Sequence, residues 1–145
     1  MDEGNPIKVE DILELIEDQK AVYVATIDGD IPRVRPLTLV RFDSRYFILT
    51  GMNDAKIRQI KDNNSVEICC PLKGEIGNGY IRMDGIVDIV GDMKLKKKVA
   101  DHVSYFKEYW DTPEDPTYAL LEFRMRNMEY MKPGDNYSSK YRDLG

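Results

Sequence analysis

The feature that most constrains this chain is how closely its strand-like segments follow one another. Ala21 to Ile27 (AVYVATI), Arg33 to Phe42 and Tyr46 to Thr50 (YFILT) are rich in β-branched and aromatic residues. Asp28-Gly29-Asp30 and Asp43-Ser44 are the turns between them. Connections of two to five residues cannot carry the long crossover that parallel neighbours need, so these segments must pair antiparallel.

Val66 to Pro71, Tyr80 to Val90 and Tyr118 to Arg126 continue the pattern, with Gly85 placed as a bulge. Helical periods interrupt it. Val9, Ile12, Leu13 and Ile16 share one face of a first helix. Asn53 and Asp54 are cap types before Ala55 to Asp62, where Ile57 and Ile60 point inward. Asp92 caps a third helix with Leu95, Val99, Val103 and Phe106 in one stripe. Six strands with small helical interruptions predict a mainly β fold, an antiparallel barrel with helical additions. A length of 145 residues suits one domain, residues 1–145. Residues 1–20 carry its N-terminal helix and residues 130–145 form a tail or an arm.

The formal net charge of −5 argues against a nucleic-acid partner, which needs a basic face. Lys94 to Lys98 (KLKKK) is expected to be the solvated face of a helix. No apolar run is long enough to cross a bilayer, and the acidic N-terminus is not a signal peptide. Cys69 and Cys70 are adjacent and would point to opposite faces, so both are expected to be reduced core residues of a cytoplasmic protein. One histidine and no spaced cysteines leave no metal site. Gly74 to Gly79 (GEIGNG) is expected to be a hairpin loop, and His102 a surface or partly packed residue. No nucleophile–base arrangement and no carboxylate pair stands out, so no catalytic residue is assigned.

One stretch does not behave like a plain strand. Ile31 to Val40 (IPRVRPLTLV) opens with Arg33 and Arg35 on one face, and Pro36 cannot donate to a ladder. Pairing across the Asp43-Ser44 turn, with partner numbers summing to about 88, sets Thr38 opposite Thr50 and Arg35 near Asn53. Arg35, Lys56, Thr50 and a helix N-terminus then converge as an anion site suited to phosphate, with Arg33 able to join. The alternative is that both arginines pair with surface acids.

The ordered blocks VYVATIDGDIPRVRPLTLV, YFILTGMNDAKIRQIKDN and YIRMDGIV resemble the flavin-binding split barrels of the pyridoxamine 5′-phosphate oxidase-like superfamily. The resemblance runs from about Ala21 to Val90, with a weaker echo in YWDTPEDPTYALLEF. It implies a six-stranded antiparallel split β-barrel, usually a homodimer with FMN in a groove at the interface. The segment Arg35 to Val40, with Pro36, Leu37 and Thr38, would line the flavin, and Leu49 and Thr50 would follow on the neighbouring strand. Lys56 would hold the phosphate with Arg35, and Tyr80 would approach the ring. The implied activity is a flavin-dependent oxidoreductase acting on a small-molecule substrate or electron acceptor. A non-enzymatic flavin carrier, or the same barrel holding the deazaflavin F420 or haem, are the alternatives. The oxidase itself places a lysine about where this chain has Val40 and an arginine where it has Ala55. Its C-terminal tryptophan and arginine-histidine motif have no clear match. The chain is therefore more similar to the short nitroimidazole-reductase-like and flavin-reductase-like branch. In that setting Tyr137 to Arg142 would be either a frayed tail or an arm over the partner's flavin.

Overall fold

The structure is a computed structural model that describes residues 7–145. Seven antiparallel strands form the body: β1 (Lys20–Asp28), β2 (Ile31–Phe42), β3 (Arg45–Gly51), β4 (Ser65–Lys73), β5 (Asn78–Ile89), β6 (Tyr118–Met131) and β7 (Ser139–Tyr141). Among the described residues three α-helices accompany them, α1 (Val9–Leu13), α2 (Ala55–Asp62) and α3 (Met93–His102), with a short 3-10 turn at Phe106–Glu108. The strand order is β3-β2-β1-β4-β5-β6-β7, and β3 also pairs with β6. That extra pairing closes β1 to β6 into a ring of six, the split β-barrel expected from the sequence. No helix among the described residues is long and apolar enough to cross a membrane.

The two faces of β3 explain its continuous apolar run. Tyr46 and Ile48 point into the barrel with Val24, Leu39, Ile68, Ile81 and Met83. Phe47 and Leu49 point outward, where Val99, Val103, Phe106 and Trp110 cover them. A strand buried on both faces loses the polar alternation that a half-wet strand shows. α1 and α2 supply Ile12, Ile57 and Ile60 to the barrel core. The first helix is shorter than expected, but Ile12 and Ile16 are buried as its period requires.

The β2–β3 register departs from the expected one. Phe42 pairs with Arg45, Arg41 with Tyr46 and Val40 with Phe47, so partner numbers sum to 87 rather than 88. Asp43 and Ser44, both in the left-handed region at φ 53° and 57°, make a two-residue turn with no spare residue. A slip of one exchanges the faces. The ladder also stops after those three pairs, while on its other edge β3 pairs with β6 from Tyr46↔Phe123 to Gly51↔Tyr118. Thr38 is therefore not paired with Thr50, and Arg35 does not sit at Asn53.

Two further expectations change, and one of the two alternatives for the C-terminal segment falls. Lys96 of the KLKKK run is buried, its ammonium donating to the Tyr118 carbonyl at 3.0 Å and lying over the Tyr118 ring. Only Cys70 is in the core; Cys69 is half-buried on the outer face, and both are free thiols. The C-terminal segment is not frayed, because β7 pairs with Met128–Tyr130 of β6 and Leu144 N–H donates to the Arg126 carbonyl at 2.7 Å.

Gly85 lies where the β5–β6 register shifts, and a Cβ there would stand 2.0 Å from the Arg124 carbonyl oxygen. Gly85→Ala is expected to destabilise the fold by about 1–3 kcal/mol, the usual range for overpacking, measured by urea denaturation.

Candidate functional site

Where β3 abandons β2, a cleft opens between the two strands. One wall is Pro36, Leu37 and Thr38 of β2; the other is Leu49, Thr50 and Gly51 of β3. Pro36 still pairs with Tyr23 of β1, and its missing donor suits the edge that β3 has left. The cleft has a volume of about 470 Å³, inside the range of small-molecule sites.

Its two ends differ in chemistry. At the start of α2, the Lys56 ammonium donates to Thr50 Oγ1 at 2.6 Å and to Asp54 Oδ2 at 2.8 Å. The Thr50 hydroxyl donates to the same Asp54 oxygen at 2.8 Å. Lys56, and then Thr50, hold the Asp54 carboxyl below its ordinary value by these hydrogen bonds. The other end is aromatic and comes from the segment after α3, through Tyr105, Tyr109 and Trp110. Trp110 stacks obliquely on Phe106 and Tyr118 at 5.3 and 5.1 Å, and Tyr109 leans on Trp110 at 5.6 Å. Rings held this way are rigid surfaces. Burial pushes the Tyr105 phenol up to about 12, so its hydroxyl stays protonated at neutral pH. Tyr109 is 68% exposed and lies at the rim, edge-on to Tyr105 at 6.0 Å.

Of the nine residues singled out in the sequence, the cleft brings together Pro36, Leu37, Thr38, Leu49, Thr50 and Lys56. Arg33, Arg35 and Tyr80 lie elsewhere. Arg35 is on the barrel-facing side of β2, where its guanidinium donates to Thr26 Oγ1 at 2.7 Å, Gln59 Oε1 at 3.1 Å and the Val24 carbonyl at 3.3 Å. All of these partners are neutral, and burial pulls the guanidinium down from its ordinary value. Arg33 is largely exposed, 3.9 Å from Asp28, which Arg58 also approaches at 3.5 Å. Tyr80 is the third residue of β5 and donates to Glu129 Oε2 at 2.7 Å.

Sequence reasoning missed Asp54 as a cleft residue and the whole aromatic end. A signal was present in the pair of doublets Tyr105-Phe106 and Tyr109-Trp110, spaced by one helical turn just after the third helix. Among the described residues, no group of three or more histidine, cysteine or carboxylate side chains could hold a metal. His102 is partly packed, as expected, with Nε2 at 2.7 Å from Asp18 Oδ2.

The family model described as pyridoxamine 5′-phosphate oxidase matches residues 9–132. Among solved structures, a NimC/NimA family protein from Clostridium acetobutylicum shares the fold with a TM-score of 0.74 at 22% identity, over 91% of this chain and 90% of that one. A pyridoxamine 5′-phosphate oxidase-related, FMN binding protein from Nostoc punctiforme has a TM-score of 0.67 at 15% identity, over 84% and 78%. A heme binding protein from Mycobacterium smegmatis has a TM-score of 0.70 at 12% identity, over 86% of this chain and 54% of that one. A search of curated proteins gives no significant match.

Trp110 is the single tryptophan of the chain. Any planar ligand that enters the cleft is therefore expected to quench the intrinsic emission of the protein in a saturable way. A ligand that binds without changing that emission sits elsewhere.

Proposed function

Because the chain belongs to the pyridoxamine 5′-phosphate oxidase family, we propose that it is a flavoprotein that holds FMN in the β2–β3 cleft and serves as an oxidoreductase toward a small-molecule acceptor. The observation that carries this reading is the polarity of the cleft. A half-buried ammonium and a hydroxyl stand at one end and stacked aromatic rings at the other. A phosphate on a polar tail and a flat ring system need those two environments, in that arrangement. When bound, FMN supplies the electron-transfer chemistry. Lys56 and Thr50 bind its phosphate; Pro36, Leu37, Thr38 and Leu49 orient the ring; Tyr109 limits access of water from the rim. The residues present fit the group.

Oxidation of pyridoxamine phosphate itself is not proposed. Val40, where the oxidase resemblance calls for lysine, is fully buried against α3 and its neighbours and offers no charge.

The reading includes a second copy of the chain. The outer face of β2 and β1 carries Val34 at 68% exposure and Tyr23 at 50%, beside Pro36. Tyr23 pairs with Cys69, Pro71 pairs with Tyr80, and alternation puts all four on that face. The apolar strip thus runs from the cleft wall towards Tyr80. A partner docked on it would let Tyr80 of one copy approach the flavin of the other. Arg35 supports the phosphate end from behind, through Gln59 of α2.

A haem reading is favoured by one of the structural neighbours. The absorption spectrum of the purified, reconstituted protein separates the candidates, since flavin, deazaflavin and haem have distinct band shapes. The expected result is a flavin spectrum, at a native mass twice the 16.8 kDa of one chain. Lys56→Ala is expected to weaken FMN binding at least ten- to a hundred-fold, since a charge-assisted hydrogen bond is lost. Equal FMN affinity in parent and variant would remove Lys56 from the site. Reduction by a nicotinamide cofactor, followed by transfer to an added acceptor, distinguishes an enzyme from a flavin carrier.

A further inference from the structure

The seat that Lys56 offers to a phosphate already holds an anion. Three donors converge on one oxygen, Asp54 Oδ2: the Lys56 ammonium at 2.8 Å, the Thr50 hydroxyl at 2.8 Å and the Gly51 N–H at 3.3 Å. An ammonium, a hydroxyl and a backbone amide are the set that a phosphate oxygen takes. We propose that Asp54 sets the charge selectivity of the cleft. Its carboxylate occupies the place of a ligand phosphate oxygen, so an anionic ligand must displace it and a neutral one need not. The inference rests on the cleft being the ligand site.

Three observations make Asp54 the group that moves. The first is its solvent contact. The Asp54 side chain is 51% exposed, whereas that of Lys56 is 11% exposed. Moving Asp54 costs little burial, and moving Lys56 costs much.

The second is position. Asp54 is the N-cap residue of α2, with the extended backbone of a cap at φ −68° and ψ 149°, yet its side chain makes no cap hydrogen bond. Aspartate at an N-cap ordinarily accepts from an amide of the first turn. Here the side chain is turned back onto Thr50 and Lys56 instead. A displaced carboxylate therefore has a ready destination on the first-turn amides of its own helix. That first turn holds no acidic residue and does hold Lys56, so a carboxylate there also improves the fit to the helix dipole.

The third is the charge balance. Among the described residues, Asp54 and Lys56 are the only charged ones lining the cleft. With Asp54 seated they cancel, and a dianion entering the cleft finds no net attraction. With Asp54 on the helix cap, Lys56 is free for the ligand. A neutral ligand such as riboflavin can lie on the aromatic end with Asp54 still in place. Asp54 thereby narrows the preference for a phosphorylated ligand over its unphosphorylated counterpart, and its removal should widen that preference.

The test uses the full-length chain as wild type, Asp54→Asn and Asp54→Ser, each checked for folding by its amide spectrum away from residues 50–57. FMN and riboflavin are titrated against Trp110 emission, and inorganic phosphate against the Gly51 amide resonance. The expected result is FMN binding about ten-fold tighter in both variants, with riboflavin affinity unchanged. Phosphate should shift the Gly51 amide at a lower concentration in the variants than in the wild type. Weaker FMN binding in the variants would make Asp54 a support that positions Lys56, and would overturn the proposal. So would equal changes for both flavins. The phosphate arm separates this inference from the flavin reading. If neither flavin binds but phosphate still favours the variants, selectivity by Asp54 stands and the flavin assignment falls. If phosphate acts on all three proteins alike, or shifts Gly51 in none, the inference is wrong whatever the flavins do.

Discussion

β3 pairs with β2 for only three residues on one edge and with β6 for six on the other, the two ladders overlapping at Tyr46 and Phe47, and this unequal pairing shapes the molecule. Had β3 stayed on β2, the two strands would zip along their length and leave no space between Thr38 and Thr50. Had it not reached β6, the ring would stay open with two unpaired edges, which invite association. The first pairs of the β3–β6 ladder are locked from the side: Arg45 grips the Glu122 carboxylate with two hydrogen bonds at 2.8 and 2.7 Å. Two parallel contacts to one carboxylate fix direction as well as distance. The cleft is thus a by-product of closure, held at its open end by the same ladder that completes the barrel.

Closure also explains the second layer. Phe47 and Leu49 face away from the barrel interior, and an exposed pair of this size beside Val40 would be costly. α3 and the segment behind it cover them. Lys96 takes part despite its charge, because its stem packs while its ammonium finds the Tyr118 carbonyl and ring. The Tyr118 hydroxyl returns a hydrogen bond to the Lys96 carbonyl at 3.0 Å. This lock carries Trp110 and Tyr109 to the cleft, so the layer that hides β3 also provides an aromatic wall.

The elements that local pattern decides were legible in the sequence. Turn residues at Gly29 and Asp43-Ser44, alternating apolar positions and the cap before α2 place six strands and three helices close to where they lie. Thr50 and Lys56 could be put together because only one turn and the start of a helix separate them. Register was not legible at that level. A hairpin sum of 87 and one of 88 differ by a single residue in the turn, yet they send Arg35 to opposite faces. The aromatic end was hidden for a different reason. Tyr105, Tyr109 and Trp110 reach the cleft only through packing of α3 on β3, a contact between segments some fifty residues apart. Lys96 misled because a run of lysines looks solvated, and only the fold shows which one turns inward. The short β7 has no periodicity of its own and exists by pairing with the edge of β6.

The central claim is that the β2–β3 cleft holds the ring of FMN with its phosphate at Lys56. A crystal structure of the protein with FMN tests it most directly. Density is expected for the ring between Thr38 and the Tyr109–Trp110 wall, and for the phosphate within hydrogen-bond distance of Lys56 Nζ and Thr50 Oγ1. FMN density outside that cleft, for instance in the charged groove between Arg82 and Lys140, would contradict it.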